Sequence, residues 1–354
     1  MLLPYFYLAR QALLSNLRRL PRPFKLTFAL TYRCNFRCWS CRTWRRPPAP
    51  EMTAAEVGEF FRRQDYFSWV DLTGGEITLR PDLNEVVEAV TALSRRLIVL
   101  HFPTNAYLPA RVISAVRAAK RRPGLKIIVT VSLDGPAPVH DRLRGVEGSW
   151  ERALETFAAL RREKGVEVFL GTTLQEGNLH LRAATIASVR KRIPGVRESD
   201  FHFNFAQRAF FYDNLDLAPA PGSETSAALD EIAAGFRGRA SPRQYLERVY
   251  LAGARRFLAT GVCPLSCRAL SNSCFVDPYG NVYPCSGYDR PLGNLRAANF
   301  ELDAIWRRPE TRATQREIAG GSCPQCWTPC EAYQTILGNL FRRWRPARRE
   351  GGGS

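Results

Sequence analysis

The chain is 354 residues long and 45% hydrophobic, with 51 Lys and Arg against 33 Asp and Glu, a formal charge of +18, and ten cysteines. This is enough apolar material for one large core plus a smaller appendage, and it excludes a disordered chain. Its length and the lack of a cleavable signal pattern weigh against a small disulfide-stapled secreted protein, so the cysteines are read as reduced, metal-binding and cytoplasmic.

Met1 to Leu20 carries leucines and aromatics beside Arg10, Arg18 and Arg19, and is too short and too charged to span a bilayer. Residues 1–23 are expected to form a basic amphipathic helix, packed across the bottom of the main domain in preference to lying on an anionic membrane. Lys25 to Tyr32 alternates apolar and β-branched residues and reads as a strand. Just past it comes Cys34-Asn-Phe-Arg-Cys38-Trp-Ser-Cys41, which supplies three thiolates from one short loop. Structural zinc takes four protein ligands, whereas a [4Fe–4S] cube held by three thiolates leaves one iron open, so the loop points to catalysis.

Strand and helix patterns then alternate. Helices are predicted over Met52–Arg63, with Thr53 and Glu56 as a capping box, and over Leu83–Arg95, Pro109–Arg121, Ser149–Lys164 and Leu179–Arg192. Strands are predicted over Ser68–Thr73, Leu97–Phe102, Lys126–Leu133, Val166–Leu174 and Phe201–Phe205. Six such units over residues 24–216 are too few for a closed eight-stranded barrel and suit an open partial (β/α)6 barrel, an α/β fold with strand ends converging on a cleft. Residues 217–262 read as a linker, Ala218–Gly222, followed by a helical stretch over Glu224–Thr260.

Polar groups gather at successive strand ends: Thr73-Gly74-Gly75-Glu76, Thr104-Asn105, Ser132-Leu-Asp134-Gly-Pro and His140 to Gly145 with Arg144, the last read as a salt-bridged loop. On the sixth strand, alternation puts His202 and Asn204 on one side and Phe201, Phe203 and Phe205 on the other. Residues 263–340 form a cysteine-rich region. Cys267 and Cys285 flank a hairpin turning at Gly280-Asn281, and Cys323, Cys326 and Cys330 follow. Two sulfur pairs brought together this way suit zinc or an iron–sulfur cube, and spacing does not separate the two. Cys274 reads as a strand residue facing the small core, Cys263 has no assigned role, and residues 341–354 form a basic tail.

Together these residues resemble the radical S-adenosylmethionine (SAM) enzymes, and the carboxyl region resembles their SPASM/twitch extension. The resemblance implies that Cys34, Cys38 and Cys41 ligate a [4Fe–4S] cluster whose open iron chelates the methionyl amino and carboxylate groups. It further implies that Gly74, Gly75 and Glu76, with Thr73, hold the amino group, and that Phe36, Asn105, Ser132 and Arg144 complete the SAM site. Reductive cleavage would release a 5′-deoxyadenosyl radical that abstracts hydrogen from substrate. The same resemblance implies one auxiliary [4Fe–4S] cluster on Cys267, Cys285, Cys323 and Cys326, with Cys330 as a replacement ligand and a second cluster if Cys263 also serves. Two departures stand out: Ser40 replaces the usual aromatic before the third cysteine, and the cysteine motif after Cys323 is shortened.

A peptide is the expected substrate, with a lipid or lipid-linked substrate as the alternative, and a one-electron reductant such as flavodoxin or ferredoxin is the expected partner. The basic aromatic termini allow peripheral contact with an anionic membrane. The reading from another class, a zinc-dependent nucleic-acid-binding protein, rests on the arginine charge and is disfavoured.

Overall fold

The computed structural model describes residues 3–217, 222–235, 242–342 and 344. Helix α1 (Leu3–Leu17) leads into β1 (Lys25–Ala29), and five further parallel strands follow in β/α alternation. These are α2 (Ala54–Arg63), β2 (Trp69–Thr73), α3 (Leu83–Leu93), β3 (Val99–Thr104), α4 (Pro109–Lys120), β4 (Lys126–Ser132), α5 (Ala137–Arg144), α6 (Ser149–Leu160), β5 (Val166–Leu174), α7 (Arg182–Arg192) and β6 (Phe201–Phe205). Then come α8 (Gly222–Gly235), α9 (Pro242–Thr260), β7 (Ser273–Val276), β8 (Asn281–Tyr283), β9 (Gly293–Asn294), α10 (Leu302–Trp306), α11 (Pro309–Gly320) and α12 (Pro329–Leu337). Most expected elements appear within a few residues of their predicted bounds.

The strands form one nine-stranded sheet in the order β6-β5-β4-β3-β2-β1-β7-β8-β9. The expected hairpin is present, with its turn at Asp277–Gly280 rather than Gly280-Asn281, because Gly280 N donates to Asp277 O at 3.1 Å and Asn281 already belongs to β8. The cysteine-rich region is therefore not a separate layer: β7 pairs in parallel with β1, Leu26 opposite Cys274, and continues the barrel sheet. Cys274 is fully buried there, as its strand position predicts.

Alternation divides the sheet cleanly. Leu26, Val70, Leu100 and Ile127 lie in one register row and pack beneath the helices, with Phe201, Phe203 and Phe205 on the same outer face. The opposite residues turn inward and are polar. Lys25 Nζ meets Asp71 Oδ2 at 3.1 Å, and His101 bridges Asp71 Oδ1 (3.2 Å) and Thr130 Oγ1 (2.9 Å), so one hydrogen-bonded line crosses four strands. Burial disfavours the Asp71 charge, but Lys25 and then His101 more than offset it and hold the carboxyl well below its usual range. His202 and Asn204 face the same interior, and His202 Nδ1 lies 3.2 Å from Glu247 Oε1 on α9.

Local chemistry explains the boundaries. Thr53 and Glu56 close the capping box of α2, Pro109 opens α4, and left-handed Gly145 ends α5. Helix α5 replaces the loop expected over His140–Gly145. Pro136 starts it, and Asp141 ties its end to the next helix by accepting from Gly148 N and Ser149 Oγ at 2.8 Å each. His140 Nδ1 accepts the Asp134 amide at 3.0 Å, which fixes the β4–α5 turn. The helical stretch expected over Glu224–Thr260 is two helices, α8 and α9; the linker residues 218–221 lie outside the described residues. Helix α1 packs against α12, where Asn16 accepts from Leu340 N at 2.7 Å and donates to Leu337 O at 2.9 Å. Among the described residues no helix is long and apolar enough to cross a membrane.

Two predictions follow from this packing. A Cβ on Gly253 of α9 would lie 2.5 Å from the Trp327 ring, whose Nε1 donates to Tyr250 O at 2.8 Å. Gly253→Ala is therefore expected to destabilise by about 1–3 kcal/mol despite its better helix propensity, read by chemical denaturation. Burial, reinforced by Arg144, lowers the His140 pKa from 6.5 to about 4. Its contribution is complete above pH 6.5 and is lost as pH falls toward 4, a loss of about 3 kcal/mol. His140→Asn, which keeps an acceptor for the Asp134 amide, should flatten unfolding free energy between pH 7 and 4, and an unchanged slope would reject the assignment.

Candidate active site

The cysteine loop leaves β1 at Leu30 and is clamped to the end of β2 by backbone alone. Gly75 N donates to Thr31 O at 2.7 Å and Glu76 N to Arg33 O at 2.9 Å. A Cβ on Gly74 would lie 2.4 Å from Thr31 O, and one on Gly75 2.2 Å from Arg33 O, so only glycine permits this approach. Glu76 is buried. Its Oε1 accepts from Thr78 N (3.1 Å), Thr78 Oγ1 (2.7 Å) and Thr104 Oγ1 (2.9 Å), and Oε2 from Asn105 N (2.7 Å). The carboxylate thus braces the ends of β2 and β3 and has little capacity left for a ligand; burial raises its pKa despite these donors. Asn105 Nδ2 in turn donates to Asn35 Oδ1 at 2.8 Å, inside the cysteine loop.

Cys34, Cys38 and Cys41 are half-buried free thiols on this loop. Its far side is held by Arg37 N donating to Arg144 O at 3.1 Å and Trp39 N to Leu143 O at 3.0 Å. The Arg144 guanidinium lies 2.7 Å from Asp134 Oδ2 and 3.9 Å from Cys38 Sγ. Burial opposes its charge, and Asp134 followed by Cys38 more than restores it. Burial pushes the Cys34 thiol up to about 12 and raises Cys38 as well, so thiolates form here when a metal takes them. Phe36 packs edge-on against Tyr107, Ser132 is half-buried at the end of β4, and Trp39 is exposed.

A second group of sulfurs lies across the sheet edge. Cys263, Cys267, Cys285, Cys323 and Cys326 line one small cavity with Gly287, Tyr288 and Gln325. Four of these are the residues expected; Cys263 joins them, and its C-x3-C spacing to Cys267, the same as in the first loop, is the signal that marks it. Cys330 does not line the cavity. Burial raises its thiol to about 12 and Lys25 pulls it back, which puts it at the barrel floor, where its carbonyl also accepts from Lys25 Nζ. Gln325, left-handed at φ 56°, turns the Cys323–Cys326 segment inward, and its Oε1 accepts from Cys263 N at 2.9 Å. Burial raises Cys267, Cys285 and Cys326 well above the usual thiol range. No group of three His, Cys, Asp or Glu among the described residues is arranged around a single metal ion. A cavity walled by soft sulfur and lacking carboxylate or imidazole suits an iron–sulfur cube or zinc, and three half-buried thiols on one short loop suit a cube with an open iron.

The segment after β6 joins the two sulfur groups, a connection not foreseen from sequence. Asn214 donates to Ser40 O at 2.7 Å and Tyr212 O accepts from Arg42 N at 2.7 Å, while Gln207 Oε1 accepts from Trp327 N at 2.8 Å and Phe211 N donates to Ser286 O at 3.2 Å. The Tyr212 phenol is raised by burial and then by Cys330, Cys41 and Cys326, so it stands within electrostatic reach of both groups.

Comparison with known proteins agrees with this arrangement. Residues 28–178 match the radical SAM superfamily, and residues 267–330 match SPASM, an iron–sulfur cluster-binding domain. The antilisterial bacteriocin subtilosin biosynthesis protein AlbA of Bacillus subtilis (strain 168) is 30% identical over 81% of this chain, which spans 60% of AlbA. The mycofactocin maturase MftC of Mycobacterium ulcerans is 29% identical over 87% of this chain and 81% of its own. Among solved structures, Streptococcus suis SuiB bound to S-adenosylmethionine superposes with a TM-score of 0.60 at 15% identity, covering 83% of this chain and 68% of SuiB, a likeness of fold. The cofactors these domains imply are [4Fe–4S] clusters and SAM, which fit the two sulfur sites. The zinc-dependent nucleic-acid reading falls with them: residues 28–178 match the radical SAM superfamily, and a match to the SPASM iron–sulfur cluster-binding domain follows at residues 267–330.

Proposed function

We propose that this chain oxidatively modifies a peptide, taking hydrogen from it at the cysteine loop and passing an electron to the SPASM site. A reduced cluster with SAM at the loop supplies a 5′-deoxyadenosyl radical that removes hydrogen from an unactivated carbon. Cys34, Cys38 and Cys41 hold that cluster. Thr73, Gly74 and Gly75 present their backbone to the methionyl end, and Glu76 keeps their turn rigid; Phe36, Asn105, Ser132 and Arg144 bound the rest of the cofactor. His202 and Asn204, on the inner face of β6, contact substrate, and the barrel shields the reacting carbon from water. Four of the five cysteines around the second cavity, Cys267, Cys285, Cys323 and Cys326 in the first instance, hold one auxiliary cluster.

The observation that carries this reading is the segment 207–214, hydrogen-bonded to the cysteine loop through Asn214 and Tyr212 and to the SPASM region through Gln207 and Phe211. Electron passage from substrate to the second site then needs no rearrangement. A peptide is favoured because the relatives include a maturase and a bacteriocin biosynthesis protein, and because SuiB is also known bound to its precursor peptide. A flavodoxin- or ferredoxin-type protein supplies the electron that starts each turnover.

Anaerobic reconstitution with iron and sulfide tests both sites. The wild-type chain is expected to hold about eight irons, four per cube, and Cys34→Ala/Cys38→Ala/Cys41→Ala about four, with no 5′-deoxyadenosine formed from SAM under dithionite. Cofactor cleavage by the triple variant would end this reading. Cys326→Ala should lose about four irons while Cys330→Ala keeps the full number; the reverse pattern would move the auxiliary ligand set to the barrel floor.

A further inference from the structure

Helix α1 is built inside out. Its most buried positions are polar: Gln11, Ser15 and Asn16 are at most 8% exposed beside Ala12, while Tyr7, Leu8 and Leu14 are half-buried. Ser15 accepts from Asn272 Nδ2 at 3.2 Å, and Asn16 bonds both Leu337 O and Leu340 N. These bonds, with Arg96 stacked on Tyr7 at 4.0 Å, fix the helix to the body of the protein. Its outer face is apolar, with Phe6 67%, Leu13 52% and Leu17 80% exposed. Those positions fall on one helical stripe, and a surface helix normally points such a stripe at the core. Phe341, 77% exposed, follows Leu340, whose amide donates to Asn16, and so adds a further exposed apolar side chain close to the helix.

The charge around this patch has one sign. Residues 1–50 contain no Asp or Glu, and neither do residues 332–349. Arg10 and Arg18 flank the stripe on α1, and Arg342 adjoins Phe341; none of the three makes an ion pair among the described residues. Nearby Arg19 and Arg22 are by contrast used internally, on Trp306 and Asp303. Exposed phenylalanine and leucine set between unpaired guanidiniums match a surface that offers hydrocarbon beneath phosphate. A nucleic acid would use the arginines and leave the leucines in water.

We propose that the outer face of α1, with Phe341, docks on an anionic lipid bilayer. Phe6, Leu13 and Leu17 enter the boundary between headgroups and acyl chains, and Arg10, Arg18 and Arg342 meet the lipid phosphates. The helix precedes β1, and the cysteine loop follows it, so the patch lies at the opposite end of the strand from the candidate active site. Docking leaves the barrel mouth facing away from the membrane and open to a substrate from solution. This goes beyond the reaction proposed above and is independent of it.

Flotation of the full, cluster-loaded chain tests it, using vesicles of phosphatidylcholine alone or with about one third phosphatidylglycerol. The chain is expected to float with the anionic vesicles, to stay behind with the neutral ones, and to be released by raised salt. Phe6→Ala/Leu13→Ala/Leu17→Ala and Arg10→Glu/Arg18→Glu should each weaken binding about tenfold or more, with iron content and melting temperature unchanged because these side chains support no packing. The proposal is overturned if the iron-loaded wild type ignores anionic vesicles, or if the triple variant floats as well as wild type. It is equally overturned if the patch substitutions leave vesicle binding alone and instead dissolve a dimer in size-exclusion chromatography, which would make the covering partner a second copy of the chain.

Discussion

The candidate site rests on a backbone-to-backbone contact with no side chain in it. Gly74 and Gly75 let the end of β2 close on Thr31 and Arg33 at hydrogen-bond distance, and a single added methyl on either glycine would collide with a carbonyl oxygen. The cysteine loop is thereby registered to the sheet before any cofactor binds. Glu76 transmits this register sideways, because its four accepted bonds tie the end of β2 to Thr104 and Asn105, and Asn105 reaches back to Asn35 within the loop. Two strand ends are thus held relative to the cysteine loop by one buried carboxylate. A loop with three thiols and no such brace would lose more entropy on binding a cluster.

The second constraint is the pairing of β7 with β1. It makes the cysteine hairpin an extension of the barrel sheet, so the second cavity is positioned by the same hydrogen-bond ladder that positions the first loop. The segment 206–216 closes the circuit from the other side, with Asn214 and Tyr212 on the cysteine loop and Gln207 and Phe211 on the SPASM region. Two cysteine sites held by a shared sheet and a shared strap keep a fixed separation, which the electron passage proposed above would use.

Much of this was legible in the sequence, where chemistry is local. The C-x3-C-x2-C loop, the paired glycines after the second strand, the capping box at Thr53 and the alternation on β6 each depend on residues close in the chain. What escaped depends on distant partners. Nothing near Ser273 says that its strand will lie beside β1, and nothing in Phe210-Phe-Tyr212 marks a strap. Glu76 reads in sequence as a ligand for an ammonium group, yet its partners Thr78, Thr104 and Asn105 are supplied by folding. Cys330 reads as one more cysteine of a motif, but helix α12 carries it toward Lys25 and away from the cavity. Helix α1 misleads in another way: which face is buried was decided by partners distant in sequence, Asn16 bonding backbone groups of Leu337 and Leu340 and Ser15 accepting from the Asn272 side chain.

Thiol burial connects these elements to cofactor loading. Cys34, Cys38, Cys267, Cys285 and Cys326 sit where desolvation favours the protonated form, with Cys34 pushed up to about 12. A protonated buried thiol is a stable, weakly polar side chain and places no uncompensated charge in the core. Iron must displace those protons, and the attraction between metal and thiolate has to exceed the cost of making the anion in a low-dielectric setting. The same burial that makes loading costly then shields the sulfurs from water and lowers the dielectric around the cluster. Arg144 is the exception that fits: its guanidinium lies 3.9 Å from Cys38 Sγ and is already neutralised by Asp134, so it can steady a thiolate there without adding a bare positive charge beside the loop.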